Sequence, residues 1–305
     1  MIQVENVRYR YPKSSVDALA SVSLSVARGN CFGLLGPNGA GKSTLLALLT
    51  GALRLQSGEI RIDGRSVRDD PEAAKRRCSL VPQELAFYPS LTGRENLAFF
   101  AGFQGLSGAA SRAAIASSVE ICALGDVVDR RTETYSGGLK RRLNLAIGLL
   151  SVPSILYLDE PTVGIDAFSR DCILAAIRDF EAAGTTIVYT SHYMEEVEAV
   201  CDDLAVLDRG RLIARASTEA LLGRAAERRL ELVFEQPPAA APLAALTGLE
   251  ANWLDPRRVI VVVDDERRVA TILATLATEG HAISRMAYGF RSLDDVYRAL
   301  LAEAA

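Results

Sequence analysis

The sequence predicts an α/β fold with a mainly parallel sheet, followed by a small C-terminal α+β domain. Three observations carry this reading. Short apolar strands alternate with helical stretches between Cys31 and Tyr189, an order that gives a parallel sheet with ligands at its strand ends. A Gly-rich loop, Gly36–Gly41, joins a strand to a helix. Past about residue 229 the order becomes strand, short helix, strand, strand, helix, strand, which suits a split βαβ unit.

The elements follow in chain order. Ile2, Val4 and Val7, then Ala18, Val22, Leu24 and Val26, alternate as in antiparallel strands. Cys31–Leu35 is a short apolar strand, and the helix after Gly41 carries Leu45, Leu46, Leu48 and Leu49. Ile60–Ile62 is a strand turned by Asp63-Gly64, and Ser79–Val81 is a buried strand before Pro82. Leu91 to about Leu150 reads as helical, opened by Thr92 and Glu95 at capping-box spacing. Ile155–Leu158 and Thr186–Tyr189 are apolar strands, and Leu204–Leu207 pairs with Leu212–Arg215 around Arg209-Gly210. Residues 1–225 thus form one domain with a helical part at about 91–150, and 229–305 form a second. In the second, Val269, Ile272, Leu273 and Leu276 share one helix face, and 236–242 is a Pro/Ala loop.

Composition bounds the function. The 305 residues carry a net charge of -4, so nothing points to nucleic acid as a partner. Five cysteines without CxxC spacing, and only two histidines, read as reduced cytosolic thiols without structural zinc. The N-terminus lacks a signal-peptide pattern and no apolar run reaches the ~18 residues of a membrane span. Work at a membrane would require docking on a partner that spans it.

Gly36-Pro-Asn-Gly-Ala-Gly-Lys-Ser43 fits G-x4-G-K-[ST]. Glycines let successive N–H groups face one point, and the helix N-terminus adds positive potential there. Lys42 supplies charge to the β/γ-phosphates and Ser43 a hydroxyl for Mg²⁺. A Gly-rich turn with a surface lysine is the plain alternative. The strand–loop–helix setting argues against it. Gly36, Pro37, Asn38, Gly39, Ala40, Gly41, Lys42, Ser43 and Thr44 are the candidate nucleotide-binding residues.

Strand Ile155–Leu158 stops at Asp159-Glu160-Pro161, which puts two carboxylates at the sheet's ligand-binding edge. Asp159 completes the Mg²⁺ shell, and Glu160 accepts a proton from, or orients, the attacking water. His192 follows another strand end and is placed to hold the γ-phosphate and the water. A lone histidine is more often structural, but this position outweighs that prior. Tyr135-Ser-Gly-Gly-Leu-Lys-Arg-Arg142 opens a further helix with Ser136 as N-cap. Its three basic residues sit where the helix dipole disfavours them. A bound anion or acidic partner explains that choice as well as a solvated basic cluster does.

With these motifs in order, residues 1–222 resemble an ATP-binding-cassette (ABC) ATPase: a RecA-like P-loop NTPase core with an antiparallel β subdomain and a helical subdomain. The most specific match is Ser136-Gly137-Gly138 upstream of Asp159-Glu160. The resemblance implies further roles. Tyr11 stacks on adenine, with Tyr9 as its rival. Gln83 touches Mg²⁺ and relays nucleotide state to a permease. Ser136, Gly137 and Gly138 meet the ATP held by a second copy, and Asp166 in Gly164-Ile165-Asp166 crosses the dimer interface. Phe87–Leu91 faces the permease. The family works with ATP and Mg²⁺ as a homodimer closing on two ATP molecules, at the cytoplasmic face of the inner membrane beneath an integral membrane permease.

Leu139 replaces the usual glutamine of the signature and cannot supply its hydrogen bonds. The run Tyr-Ser-Gly-Gly-x-Lys-Arg-Arg is similar to ATPases of ABC-2-type exporters of drugs, lipids or polysaccharides (the daunorubicin-resistance-like branch), as is Ser292-Leu-Asp-Asp-Val-Tyr297. Three readings stand beside the exporter: an importer ATPase, a soluble ABC ATPase on ribosomes or DNA, and a non-catalytic member. Against them stand the α/β reading of 230–305, the lack of a second cassette or coiled-coil insertion, and the presence of Lys42, Gln83, Asp159, Glu160 and His192 together.

Overall fold

The computed structural model describes residues 2–224, 228–238, 243–263, 265–290 and 293–304. Ser292 of the acidic–aromatic run and 239–242 of the Pro/Ala loop lie outside them. The chain divides into two compact units, Met1–Thr218 and Glu219–Glu303.

In the first unit the strands are β1 (Ile2–Tyr9), β2 (Leu19–Val26), β3 (Cys31–Leu35), β4 (Ser57–Ile62), β5 (Arg65–Ser66), β6 (Cys78–Val81), β7 (Ile155–Asp159), β8 (Thr186–Thr190), β9 (Asp203–Asp208) and β10 (Arg211–Ser217). Between them lie α1 (Lys42–Leu49), α2 (Pro71–Lys75), α3 (Gly93–Phe103), α4 (Gly108–Ile121), α5 (Gly137–Leu149), α6 (Ala167–Ala182) and α7 (Met194–Val200). A four-stranded sheet runs β2-β1-β4-β5 and a six-stranded sheet runs β10-β9-β3-β8-β7-β6. The first is antiparallel. The second is parallel from β9 to β6, with β10 antiparallel at its edge.

Burial explains the sequence patterns. β1 and β2 alternate because the partly solvated sheet buries one face, including Ile2, Val4, Leu24 and Val26. β3, β7 and β8 are buried at every position, which requires their continuous apolar runs. Both β3 and β7 end in chemistry-bearing loops on the same sheet edge, where parallel sheets bind ligands. α3 starts with the expected capping box between Thr92 and Glu95.

Helix α8 (Thr218–Arg224) leads into the second unit, with β11 (Arg228–Phe234), β12 (Ala251–Asp255), β13 (Arg258–Val263), α9 (Glu266–Thr278), β14 (Ile283–Phe290) and α10 (Leu293–Ala304). Its sheet order β12-β13-β11-β14, antiparallel throughout, is that of a split βαβ fold. A single 3₁₀ turn, Ala244–Leu246, stands where the sequence predicts a short helix. The core joins Leu230, Leu232, Val259 and Val261 to Val269, Ile272 and Leu276 of α9.

Candidate nucleotide site

The phosphate loop is shaped by what its glycines avoid. Gly36 has φ +154°, and a Cβ there would lie 2.3 Å from the Leu207 carbonyl oxygen. Gly41, the cap of α1 at φ +107°, would place a Cβ 2.5 Å from the Ala18 carbonyl oxygen. Neither site accepts a side chain without moving backbone. The loop therefore wraps tightly and presents the N-terminus of α1 to solvent.

Lys42 is 5% exposed. Its Nζ donates to the Gly36 carbonyl at 2.8 Å and the Pro37 carbonyl at 3.2 Å, and lies 3.8 Å from Glu160 Oε1. Burial pulls the ammonium below its ordinary pKa, and the Glu160 and Asp159 carboxylates oppose that shift. This is a desolvated cation held at the mouth of an anion-shaped loop.

Glu160 follows β7 with φ +48°, a conformation that costs a non-glycine residue about 1–3 kcal/mol. The geometry is held by its N–H, which donates to the Thr190 carbonyl at 3.2 Å and Thr190 Oγ1 at 3.0 Å. Thr190 Oγ1 also donates to Asp159 Oδ1 at 2.8 Å. One threonine at the end of β8 thus orients the Asp159 carboxylate and fixes the Glu160 backbone. Glu160 Oε2 accepts from Gln83 Nε2 at 3.0 Å and lies 3.6 Å from His192 Nδ1.

A cleft of about 330 Å³ is lined by Tyr11, Asn38, Gly39, Gly41, Lys42, Ser43, Thr44, Gln83 and Glu160, with Ala18. Gly36, Pro37 and Ala40 form the loop behind it: two carbonyls hold Lys42, and the Ala40 side chain is buried. Burial separates the two tyrosines. Tyr9 is 6% exposed and belongs to the core, whereas Tyr11 is 43% exposed, packs edge-on against Tyr9, and has its hydroxyl 3.2 Å from Thr44 Oγ1.

Ser136, Gly137, Gly138 and Asp166 form a second group. Ser136 caps α5 by accepting from the Leu139 N–H at 3.3 Å. Asp166 caps α6 through the Ser169 N–H and hydroxyl, each at 2.9 Å. These bonds, the backbone one foremost, lower the Asp166 pKa. A Cβ on Gly138 would come within 2.1 Å of Ser169 Oγ and 2.5 Å of Asp166 Oδ2. Gly138 is therefore a packing requirement of this corner, whereas a Cβ on Gly137 would meet only the Gly164 carbonyl oxygen, at 3.6 Å.

Two of the three basic residues after Gly138 are engaged by backbone carbonyls. Arg142 is buried, and its Nη1 donates to the Ala123 carbonyl at 2.8 Å and the Cys122 carbonyl at 3.4 Å. It neutralises the C-terminal end of α4, where a cation is favoured. Arg141 Nη1 donates to the Gln83 carbonyl.

Sequence reasoning missed several supporting residues. Asn144 is buried, donates to the Pro82 carbonyl at 3.0 Å and accepts from the Ala86 N–H at 3.2 Å. With Arg141 it ties the Gln83 loop to α5. Thr190 and Glu196 were also unmarked. A hydrogen-bonding residue in an amphipathic stretch carries no signal of its distant partner.

The ABC transporter family profile matches residues 19–163. The chain is similar to the daunorubicin/doxorubicin resistance ATP-binding protein DrrA of Streptomyces peucetius, at 35% identity over 93% of this chain and 87% of the relative. It is similar to the Nod factor export ATP-binding protein I of Ralstonia nicotianae, at 35% identity over 97% of this chain and 92% of the relative. An ATP-binding cassette solved as a dimer in a post-hydrolysis state with ADP and Pi shares the fold, with TM-score 0.66 and 24% identity over 71% of this chain and 98% of that one. These likenesses to curated proteins span nearly the whole chain, which belongs to the ABC transporter family as one of its ATP-binding subunits.

Proposed function

We propose that the chain hydrolyses ATP with Mg²⁺ as a homodimer and drives a separate membrane permease in ABC-2-type export of a drug, lipid or polysaccharide. The observation that carries the catalytic part is the convergence on Glu160 of Lys42, Gln83 and His192 from three other segments. The cleft fits a nucleotide: Tyr11 offers an aromatic face, the N-terminus of α1 and Lys42 offer positive potential, and Glu160 lines it beside Lys42. Ser43, Asp159 and Gln83 are hard oxygen donors suited to Mg²⁺. Among the described residues no group of three or more His, Cys, Asp or Glu is arranged to hold a metal. Bound there, Mg²⁺ would neutralise developing phosphate charge.

This chain's residues divide the remaining work. Lys42 holds the β/γ-phosphates. Glu160 takes the proton of the attacking water or orients it, and His192 positions that water against the γ-phosphate. Ser136, Gly137, Gly138 and Asp166 serve the ATP of the second copy, because they sit on the α5–α6 corner while Lys42 lines the cleft.

No helix among the described residues is long and apolar enough to cross a membrane. Transport therefore needs a docking surface. Tyr88 packs on Phe99 at 5.0 Å and Phe100 at 6.4 Å, and Phe103 is 83% exposed. Asn96 fixes this edge by accepting from the Tyr88 N–H at 2.8 Å and donating to its carbonyl at 3.0 Å. An exposed aromatic group beside the Gln83 loop suits a permease helix. Relatives are named for resistance to daunorubicin and doxorubicin and for Nod factor export, which supports export; the reading places the chain at the cytoplasmic face of the inner membrane, beneath the permease. The test is affinity purification of tagged chain from detergent-solubilised membranes. A stoichiometric partner with about six spans supports the reading. Recovery only from the soluble fraction, with no such partner, overturns it.

A further inference from the structure

Helix α7 carries a buried carboxylate with no place in the scheme above. Glu196 is 2% exposed. Its Oε2 accepts from three hydroxyls: Thr162 Oγ1 at 2.7 Å, Tyr189 OH at 2.7 Å and Ser191 Oγ at 3.0 Å. Thr162 lies two residues past Glu160, Tyr189 is in β8, and Ser191 immediately precedes His192. Ser191 Oγ in turn accepts from the Tyr193 N–H at 3.0 Å, so the hydroxyl that meets Glu196 also spans the His192 turn.

Packing alone does not ask for this residue. Its neighbours on the buried face of α7 are Met194, Val197 and Val200. An apolar side chain would bury there without the desolvation cost of a carboxylate. Burial, and secondarily the Glu196 carboxylate, holds the Tyr189 phenol well above its ordinary pKa, so it remains a donor. Hydrogen bonds to an ionised acceptor are roughly twice as strong as neutral ones, which suits a junction that must hold position.

We propose that Glu196 is a positioning residue for hydrolysis, fixing the separation of Glu160 and His192 by tying the segment after one to the turn before the other. The proposal rests on the ATPase reading. The carboxylate–imidazole pair lies 3.6 Å apart just past the ends of β7 and β8, which the Asp159–Thr190 pairing and the Thr190 bonds to Glu160 and Asp159 join at the strand ends; Glu196 adds a tie beyond the strands, from Thr162 to Ser191.

The experiment is steady-state Mg-ATP hydrolysis by the full-length chain, with thermal melting as a control. Glu196→Ala lowers kcat between about tenfold and a hundredfold, the scale of a small misplacement of reacting groups, while KM for ATP stays within about twofold. Glu196→Gln restores much of the rate, because its amide oxygen still accepts the hydroxyls. Thr162→Val and Ser191→Ala each remove one tie and give smaller losses, which keeps the test alive should Glu196→Ala not fold. The decisive comparison adds Glu196→Ala to His192→Ala. If Glu196 acts through the histidine's placement, the double variant is no slower than His192→Ala. Wild-type kcat in the Thr162, Ser191 and Glu196 variants, or losses that multiply in the double variant, overturn the proposal. A wild type that binds Mg-ATP without turnover overturns the ATPase reading and this proposal with it.

Discussion

Gln83 donates to Glu160 at 3.0 Å, so the carboxylate that would activate water is held by the loop that leads to the exposed Tyr88–Phe99 aromatic group. Arg141 and Asn144 tie that same loop to the helix capped by Ser136. The cleft, the helix capped by Ser136 and the loop before Tyr88 therefore share one short set of hydrogen bonds.

Glu160→Gln tests the carboxylate directly. The amide keeps an oxygen for Gln83 and nearly the same volume, so the cleft survives while the base is lost. Turnover falls by about 10²–10⁴-fold, the usual contribution of a general base, and ATP binding persists. Size-exclusion chromatography with light scattering should show an ATP-dependent dimer. A variant that stays monomeric in millimolar ATP with normal turnover removes Glu160 from the mechanism.

Lys42→Ala removes the desolvated cation. Charge-assisted hydrogen bonds contribute about 1.5–3 kcal/mol, so affinity for ATP should weaken by at least about tenfold in a fluorescent-nucleotide titration. Unchanged affinity would mean that the loop backbone alone holds the phosphates.

Much of this was legible in the sequence, for identifiable reasons. A phosphate loop needs glycine where Leu207 and Ala18 carbonyls crowd it, and Asp159-Glu160 ends an apolar strand, so both sites announce themselves locally. The split βαβ order of the C-terminal unit follows from alternating Val259, Val261 and Val263 and the spaced apolar face of α9. What stayed hidden depends on distant partners. Tyr9 and Tyr11 share one strand parity in the sequence, and only the burial of Tyr9 separates them. Arg141 and Arg142 read equally as an anion-facing or a solvated basic cluster, but each finds a backbone carbonyl 19 or more residues away.

Arg142→Met should destabilise the fold by about 1–3 kcal/mol, because it leaves the Ala123 and Cys122 carbonyls without their buried donor. Lys140→Ala, at a partly exposed position, should stay within about 0.5 kcal/mol. Urea melts of the two variants distinguish them. Equal losses would return the basic run to a single surface cluster.

Gly138→Ala adds a methyl group where Ser169 and Asp166 leave no room. Overpacking of this kind costs about 1–3 kcal/mol. The displaced α6 cap should block ATP-dependent dimerisation while ATP binding at Lys42 stays intact. Dimerisation at wild-type ATP concentrations would show that the corner yields without affecting the interface.

The last prediction concerns pH. Glu181 Oε1 and Asp202 Oδ2 both accept from the Cys31 N–H, at 3.2 and 3.0 Å, where β3 begins its run to the phosphate loop. Burial, and then the adjoining Asp202 carboxyl, pushes Glu181 up to about 7 from an ordinary 4.5. The folded chain thus holds a proton here that the unfolded chain has released. Between those two values the folded state binds more protons, so this site's contribution to stability is full below the lower value and is lost as pH rises through the upper one. Melting temperature should fall across that window. Glu181→Gln keeps an oxygen for Cys31 and removes the titrating group, so it should flatten the slope and melt higher than wild type at pH above about 7. Differential scanning fluorimetry across the window tests it, and an unchanged slope in the variant would place the titration elsewhere.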